Sequence, residues 1–337
     1  MKYNFKTVQD AYSETRKYCV DDAKAQFPPY VTFELVNKCN FKCVMCPVTY
    51  TEGSRKELDF ELFKKAIDEI SQYGSAIRFI GYDEPLLYPQ IKEAIKYVKE
   101  KKLLLHITTN ASLLNNNNLY KTFVEEGVDS VIISMQGLSK EEYCSMRQLS
   151  DKTYSEVISN IKKLYDYRVT NKPYIKITST ITQRDSHSDA KEFAKIHLDY
   201  VDEVQITGWT HFVAIKEQYG QENIMNEMQV KAPTFKAHTP CYVPNYEMII
   251  KSDGNIMPCC NTTTSSLLIG KTGENSLMEA WDSKKALSIR KDTNSSDLSK
   301  HEDCNHCQIR YEEPEHGHNI SGLFEGKVFK TFTKHNI

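Results

Sequence analysis

Val31-Thr32-Phe33-Glu34-Leu35-Val36, followed by Cys39-Asn40-Phe41-Lys42-Cys43-Val44-Met45-Cys46, is the stretch on which the reading of this chain turns. Its first six residues are mostly apolar or β-branched and predict a strand. The loop behind that strand carries three thiols within eight residues. Cysteines at this spacing can hold three irons of a cubane cluster and leave the fourth open to a small chelating ligand. A structural zinc site takes four protein ligands, usually as two pairs, and fits three cysteines without a local fourth poorly.

Working outward, strand and helix signals alternate to about residue 212. Asp59 is placed to cap a helix in which Phe63, Ala66, Ile67 and Ile70 recur at helical spacing. A strand is predicted at Ile77 to Ile80, and Pro89 opens a helix with Ile91, Ala94, Ile95 and Val98 on one face. Strands over 103–107 and 128–135 flank a helix near 119–126. Thr153 and Glu156 form a capping-box pair ahead of Val157, Ile158, Ile161 and Leu164. Strands over 174–181 and 204–207, with a helix near 191–197, complete six alternations. The expected class is α/β, a parallel sheet forming a partial (β/α)6 TIM-like barrel, with chemistry at the C-terminal strand ends.

Residues 1–29 form a leading segment, 30–212 the barrel and 213–240 a polar linker. A tail over 241–337 follows, with a hairpin-like run (Tyr246 to Ile250, then Ser252-Asp253-Gly254-Asn255) and one helix over about 276–290. So few apolar residues are expected to need a staple.

The 337 residues are 40% hydrophobic and 26% charged, the balance of an ordinary globular protein. Lys plus Arg number 43 against 45 Asp plus Glu, a net charge of −2 that offers no footprint for nucleic acid or membrane surfaces. Apolar runs such as Val131-Ile132-Ile133 are too short to cross a bilayer, and the N-terminus lacks a signal-peptide core. A cytoplasmic enzyme or binding protein is expected. Of ten cysteines, seven fall in two groups, which is unlike a disulfide framework. Cys19, Cys144 and Cys260 are expected to be small buried residues.

The second group is Cys241, Cys259, Cys304 and Cys307. Four thiolates can close a zinc or complete a cubane, and spacing alone leaves both open.

The C-x3-C-x2-C loop after the first strand resembles the signature of the radical S-adenosylmethionine (SAM) superfamily. The resemblance implies that SAM chelates the open iron and is cleaved reductively to a 5′-deoxyadenosyl radical that abstracts a substrate hydrogen atom. An external flavodoxin- or ferredoxin-type donor would supply the electron. Gly81-Tyr82-Asp83-Glu84-Pro85 is similar to the family's Gly-Gly-Glu-Pro stretch, with Asp83 at a position usually given to glycine. By the same resemblance Met45, Glu84, Asn110, Ser134, Gln136 and Arg147 are expected to contact SAM. Arg147 suits the carboxylate because a guanidinium is forked. Gly254 ahead of Cys259, the run Ser276 to Trp281, and the final C-x2-C look like a SPASM or twitch domain. That likeness implies an auxiliary [4Fe–4S] cluster on all four tail cysteines, and the absence of any cysteine after Cys307 points to the single-cluster twitch form.

Peptide-modifying relatives often carry a leader-recognition domain longer than the 29 residues ahead of the first strand. The resemblance therefore favours a small hydroxylated, sugar- or cyclitol-like substrate, as in the butirosin-pathway aminocyclitol dehydrogenase group. The expected reaction is dehydrogenation, with the auxiliary cluster accepting an electron. Asp83, Tyr82 and His211 are candidate bases, and Cys260 is a candidate hydrogen donor. The alternatives are an epimerase, a peptide or protein maturase, and a non-catalytic iron–sulfur or zinc regulator.

Overall fold

A computed structural model describes the chain apart from residues 1, 21–22, 45, 50–55, 181–186, 208–239, 261–263, 306, 308–329 and 337. From the N-terminus run α1 (Val8–Glu14), β1 (Tyr30–Phe33), α2 (Phe60–Tyr73), β2 (Ala76–Phe79), α3 (Ile91–Glu100) and β3 (Leu105–Thr109). There follow α4 (Leu119–Glu125), β4 (Ser130–Ser134), α5 (Lys140–Arg147), α6 (Asp151–Tyr167), β5 (Tyr174–Thr180), α7 (His187–His197) and β6 (Glu203–Thr207). The tail adds β7 (Glu247–Ile250), β8 (Asn255–Met257), β9 (Gly270–Lys271), α8 (Leu277–Trp281), α9 (Lys284–Asn294) and β10 (Lys330–Thr333).

Two compact units divide these elements. Met1–Lys38, Gly53–Ile107 and Lys236–Arg310 make the first, and Cys39–Glu52, Thr108–Phe235 and Tyr311–Ile337 make the second. The expected linker lies almost wholly outside the described residues.

In the first unit β1 pairs in parallel with both β2 and β7, β2 pairs in parallel with β3, and β8 and β9 follow antiparallel. The tail therefore enters the sheet beside the first strand, sharing a core instead of needing a cluster to staple it. Met248, Ile250, Ile256, Leu277 and Trp281 are all buried. The Trp281 indole N–H donates to Ala25 O at 2.9 Å, and the Glu69 carboxylate accepts the Leu277 and Met278 N–H groups at the start of α8.

The two faces of this sheet differ. Phe33 meets Phe63 of α2 edge-on and Phe79 meets it at a tilt, at 5.2 and 6.0 Å between ring centroids. The opposite face carries Tyr30, Arg78, His106 and Glu247, all buried. Arg78 pairs there with Glu247 at 3.4 Å and lies over the Tyr30 ring. Two-sided burial is usual for parallel strands, but a polar buried face demands internal partners.

In the second unit β4, β5 and β6 run parallel, and β10 closes antiparallel on β6. The parallel α/β reading holds in both units.

Local signals held with shifts of a few residues. Asp59 caps α2 through the Leu62 N–H, and Gly74 ends it in the left-handed conformation. α6 begins earlier than expected, because Ser150, not Thr153, accepts the capping N–H. The single helix expected over 276–290 is two, since Ser276 and Ser283 each cap their own. α1 and α5 went unread in the sequence, although Thr7 and Ser139 cap them. Among the described residues no helix is long and apolar enough to cross a membrane.

Candidate functional site

Cys39, Cys43 and Cys46 are half-buried, outside any disulfide, on one loop of the second unit. The loop is held from within and from α5. Cys46 N–H donates to Cys43 O at 3.1 Å, and Val44 N–H donates to Met146 O at 2.9 Å. Cys39 Sγ faces the Phe41 N–H at 3.4 Å and the Asn110 side-chain amide at 3.9 Å. Such donors suit a thiolate that ligates metal. Burial pushes the Cys46 thiol up to about 12, reinforced by Cys43 and Cys39 and opposed by Arg147. Three mutually repelling thiolates of this kind need a bound cation to stay ionised, and the donor set fits an iron cluster.

Arg147 is 3% exposed. Its guanidinium sits between the Phe41 and Tyr143 rings, at 5.6 and 5.2 Å from their centroids, and donates to Ser134 O. That cage presents a buried cation beside the cysteine loop, which is not how a surface ion pair is built. Asn110 is tied to the same loop, donating to Asn40 Oδ1 at 3.0 Å. The second unit thus gathers the three cysteines, Asn110, Ser134 and Arg147. Gln136 is half-buried two residues beyond the end of β4. Met45 and His211 lie outside the described residues.

The first unit holds the rest. Glu84 is buried and caps the turn that follows it, accepting Leu86 N–H at 3.2 Å, while its own N–H donates to Lys38 O. Tyr82 and Asp83 are half-buried beside it.

The four tail cysteines are gathered from distant positions. Cys241 N–H donates to Thr293 O on α9, and Cys307 N–H donates to Cys304 O. Burial pushes Cys241 up to about 12, with the charges of Cys307 and Cys304 next among the thiol neighbours. Asp303 accepts Thr264 N–H, Thr264 Oγ1 and Ser266 Oγ at 2.8 to 2.9 Å, anchoring the segment that carries Cys304. None of the four is in a disulfide, and Cys241 interacts with the other three, a grouping that suits a closed iron–sulfur site. In both groups the thiols are gathered but not clenched: among the described residues no three ligand-type side chains close on a single ion.

Cys19, Cys144 and Cys260 depart from the buried role expected of them. Cys19 and Cys260 are exposed and Cys144 is half-buried. Cys260 is specifically partnered, its thiol and backbone N–H facing the Glu247 carboxylate, which is 2% exposed and paired with Arg78. Phe41, Tyr143, Asp303 and the Arg78–Glu247 pair escaped sequence reading, because none lies in a spacing pattern with the residue it supports.

Residues 33–196 match the radical SAM superfamily, and residues 241–308 match SPASM, an iron–sulfur cluster-binding domain. A Pyrococcus furiosus tungsten-containing aldehyde ferredoxin oxidoreductase cofactor-modifying protein is 25% identical, over 76% of this chain and 81% of its own. The S-adenosyl-L-methionine-dependent 2-deoxy-scyllo-inosamine dehydrogenase of Niallia circulans is 21% identical, over 84% of this chain and 95% of its own. Among solved structures, BtrN in complex with AdoMet and 2-DOIA superposes with a TM-score of 0.54 at 18% identity, covering 86% of this chain and 97% of its own. Its likeness extends to the α/β fold with a partial-barrel sheet. Members of the superfamily use SAM with a [4Fe–4S] cluster, and the SPASM domain binds further iron–sulfur clusters. Through both matches and the fold that accompanies them, this chain belongs to the radical SAM superfamily and carries a C-terminal SPASM domain.

Proposed function

We propose that this radical SAM enzyme is an oxidoreductase that dehydrogenates a small hydroxylated substrate of sugar or cyclitol type. The observation that carries the reading is the housing of three thiols on one loop beside a caged arginine, and of four more in a separate unit. Cys39, Cys43 and Cys46 would hold the first cluster, and Cys241, Cys259, Cys304 and Cys307 a single auxiliary one. When bound, SAM and the first cluster supply a 5′-deoxyadenosyl radical, and the auxiliary cluster supplies an electron acceptor.

The chain's own residues bind and orient. Arg147, fixed by Phe41, Tyr143 and Ser134 O, presents its guanidinium to the SAM carboxylate. Asn110 holds Cys39 in place, and Glu84, Ser134, Gln136 and Met45 complete the SAM contacts. The hydroxyl proton of the substrate passes to Tyr82 or His211. Cys260, bound to Glu247, is a weaker hydrogen donor than an unpartnered thiol, which favours oxidation over epimerisation. An external flavodoxin- or ferredoxin-type protein would deliver the electron.

The substrate class is supported by the Niallia circulans dehydrogenase. The higher identity to the Pyrococcus furiosus protein supports a second reading, in which another enzyme's cofactor is the substrate. Anaerobically reconstituted protein should release 5′-deoxyadenosine with SAM and reductant. With an aminocyclitol or sugar it should give a product two hydrogens lighter. An isomer carrying solvent deuterium would establish epimerisation instead, a modified peptide would establish a maturase, and no deoxyadenosine under any condition would sink the enzyme reading.

A further inference from the structure

Asp83 is not placed as a proton acceptor should be. Its Oδ2 accepts the Val36 N–H at 3.4 Å, and its Oδ1 is buried with no hydrogen-bond partner among the described residues. A Cβ on Gly81 would lie 2.5 Å from that Oδ1 and 3.2 Å from Glu34 Cγ. Both acid side chains therefore close over one Cα, and a Cβ there would push the Asp83 carboxyl aside. Glu34 is 5% exposed, and its two oxygens are taken by Lys251 Nζ at 2.5 Å and Ser252 Oγ at 3.1 Å. Glu34 is thus committed to an ion pair and a hydrogen bond across to the β7–β8 hairpin. The charged groups facing Asp83 are Glu34 from the end of β1 and Glu84 from its own turn, while Lys251 at the end of β7 is ion-paired to Glu34. Burial first, and then the Glu34 charge, push the Asp83 carboxyl well above the ordinary range. Two buried carboxylates side by side do not both stay charged.

We infer that Asp83 is a positioning residue that keeps its proton beside the Glu34–Lys251 ion pair, tying the Gly81–Pro85 turn to the end of β1 and the β7–β8 hairpin. The inference rests on the radical SAM reading of that turn as part of the SAM site. It removes Asp83 from the candidate proton acceptors, because a neutral acid has no vacancy for the substrate's proton.

The test uses the reconstituted full-length protein with two readouts. Infrared difference spectra over a pH titration should show the carbonyl stretch of a protonated carboxylic acid at neutral pH. The band should be missing in Asp83→Asn, and its midpoint should move down in Glu34→Gln, where the neighbouring negative charge is gone. Calorimetric SAM binding should weaken by less than about threefold in Asp83→Asn, whose amide replaces the neutral acid, and by about tenfold or more in Glu34→Gln. Persistence of the band in Asp83→Asn, or a loss of SAM affinity there of about tenfold or more, overturns the inference. So does an Asp83→Asn enzyme that binds SAM and releases 5′-deoxyadenosine yet makes no oxidised product. That last result would make Asp83 the proton acceptor and leave the radical reading intact. A wild type that forms no deoxyadenosine would refute the radical reading alone, since the infrared band is read without turnover.

Discussion

The two cysteine groups solve the same problem by opposite means. The first packs three thiols into one loop of the second unit, Cys39 to Cys46, one short of a closed four-ligand set. Its supports are an uncharged backbone clasp to α5 and one caged cation, Arg147. The second draws four thiols from positions 241 to 307 into the first unit, beside a buried carboxylate, Glu247, whose charge Arg78 meets. Local spacing makes a site that can open to a small molecule. Distant spacing makes one the protein closes by itself. The difference is what the proposed division rests on, SAM chemistry at the first and electron acceptance at the second.

The sharpest way to break this division is Cys39→Ala/Cys43→Ala/Cys46→Ala. About four irons should go, with SAM cleavage abolished, as cubane stoichiometry requires. Deoxyadenosine released by that variant would show that the first group is not the SAM site. Cys304→Ala/Cys307→Ala should instead lose the second set of about four irons, keep deoxyadenosine formation and lose the oxidised product. Because the tail shares the core of the first unit, limited proteolysis should leave α8 and α9 intact in this variant. Tail cleavage would restore the cluster's role as a staple. Zinc in place of the second set of irons would end the electron-acceptor role.

A smaller effect probes the caged cation. Arg147→Ala should weaken SAM binding roughly ten- to a hundredfold, the scale of one charge-assisted contact of about 1.5–3 kcal/mol. Arg147→Lys should recover only part of this, since an ammonium neither forks nor stacks as a guanidinium does. Unchanged SAM affinity in the alanine variant would show that the cage serves folding alone.

The smallest effect on chemistry separates the units by pH. His197 in the second unit is buried against Phe193, and burial lowers it to about 4. A histidine lowered in the fold contributes full stability above its unfolded value near 6.5 and loses it as pH falls through the folded one. Between those limits the loss should reach about 1–3 kcal/mol. Denaturant unfolding of wild type against His197→Gln at pH 7 and pH 5 measures it. Equal slopes in the two proteins would show that His197 protonates without strain.

How much of this was legible in the chain differs from region to region. The α2 stripe of Phe63, Ala66, Ile67 and Ile70 was plain, since a helix writes its buried face at a fixed local period. The first cysteine loop was equally plain, being eight residues of local chemistry. The α6 start was misread because Ser150 and Thr153 are both good caps, and only backbone geometry chose between them. Tertiary structure alone decided that β7 pairs with β1, since an apolar run such as Met248-Ile249-Ile250 does not name its partner strand. The fold class and the grouping of the cysteines were thus in the sequence, because thiol spacing and hydrophobic period are local properties. The cage around Arg147, the anchoring of Cys304 by Asp303 and the pairing of Glu34 with Asp83 were settled only in three dimensions, because burial and charge depend on residues brought together from across the chain.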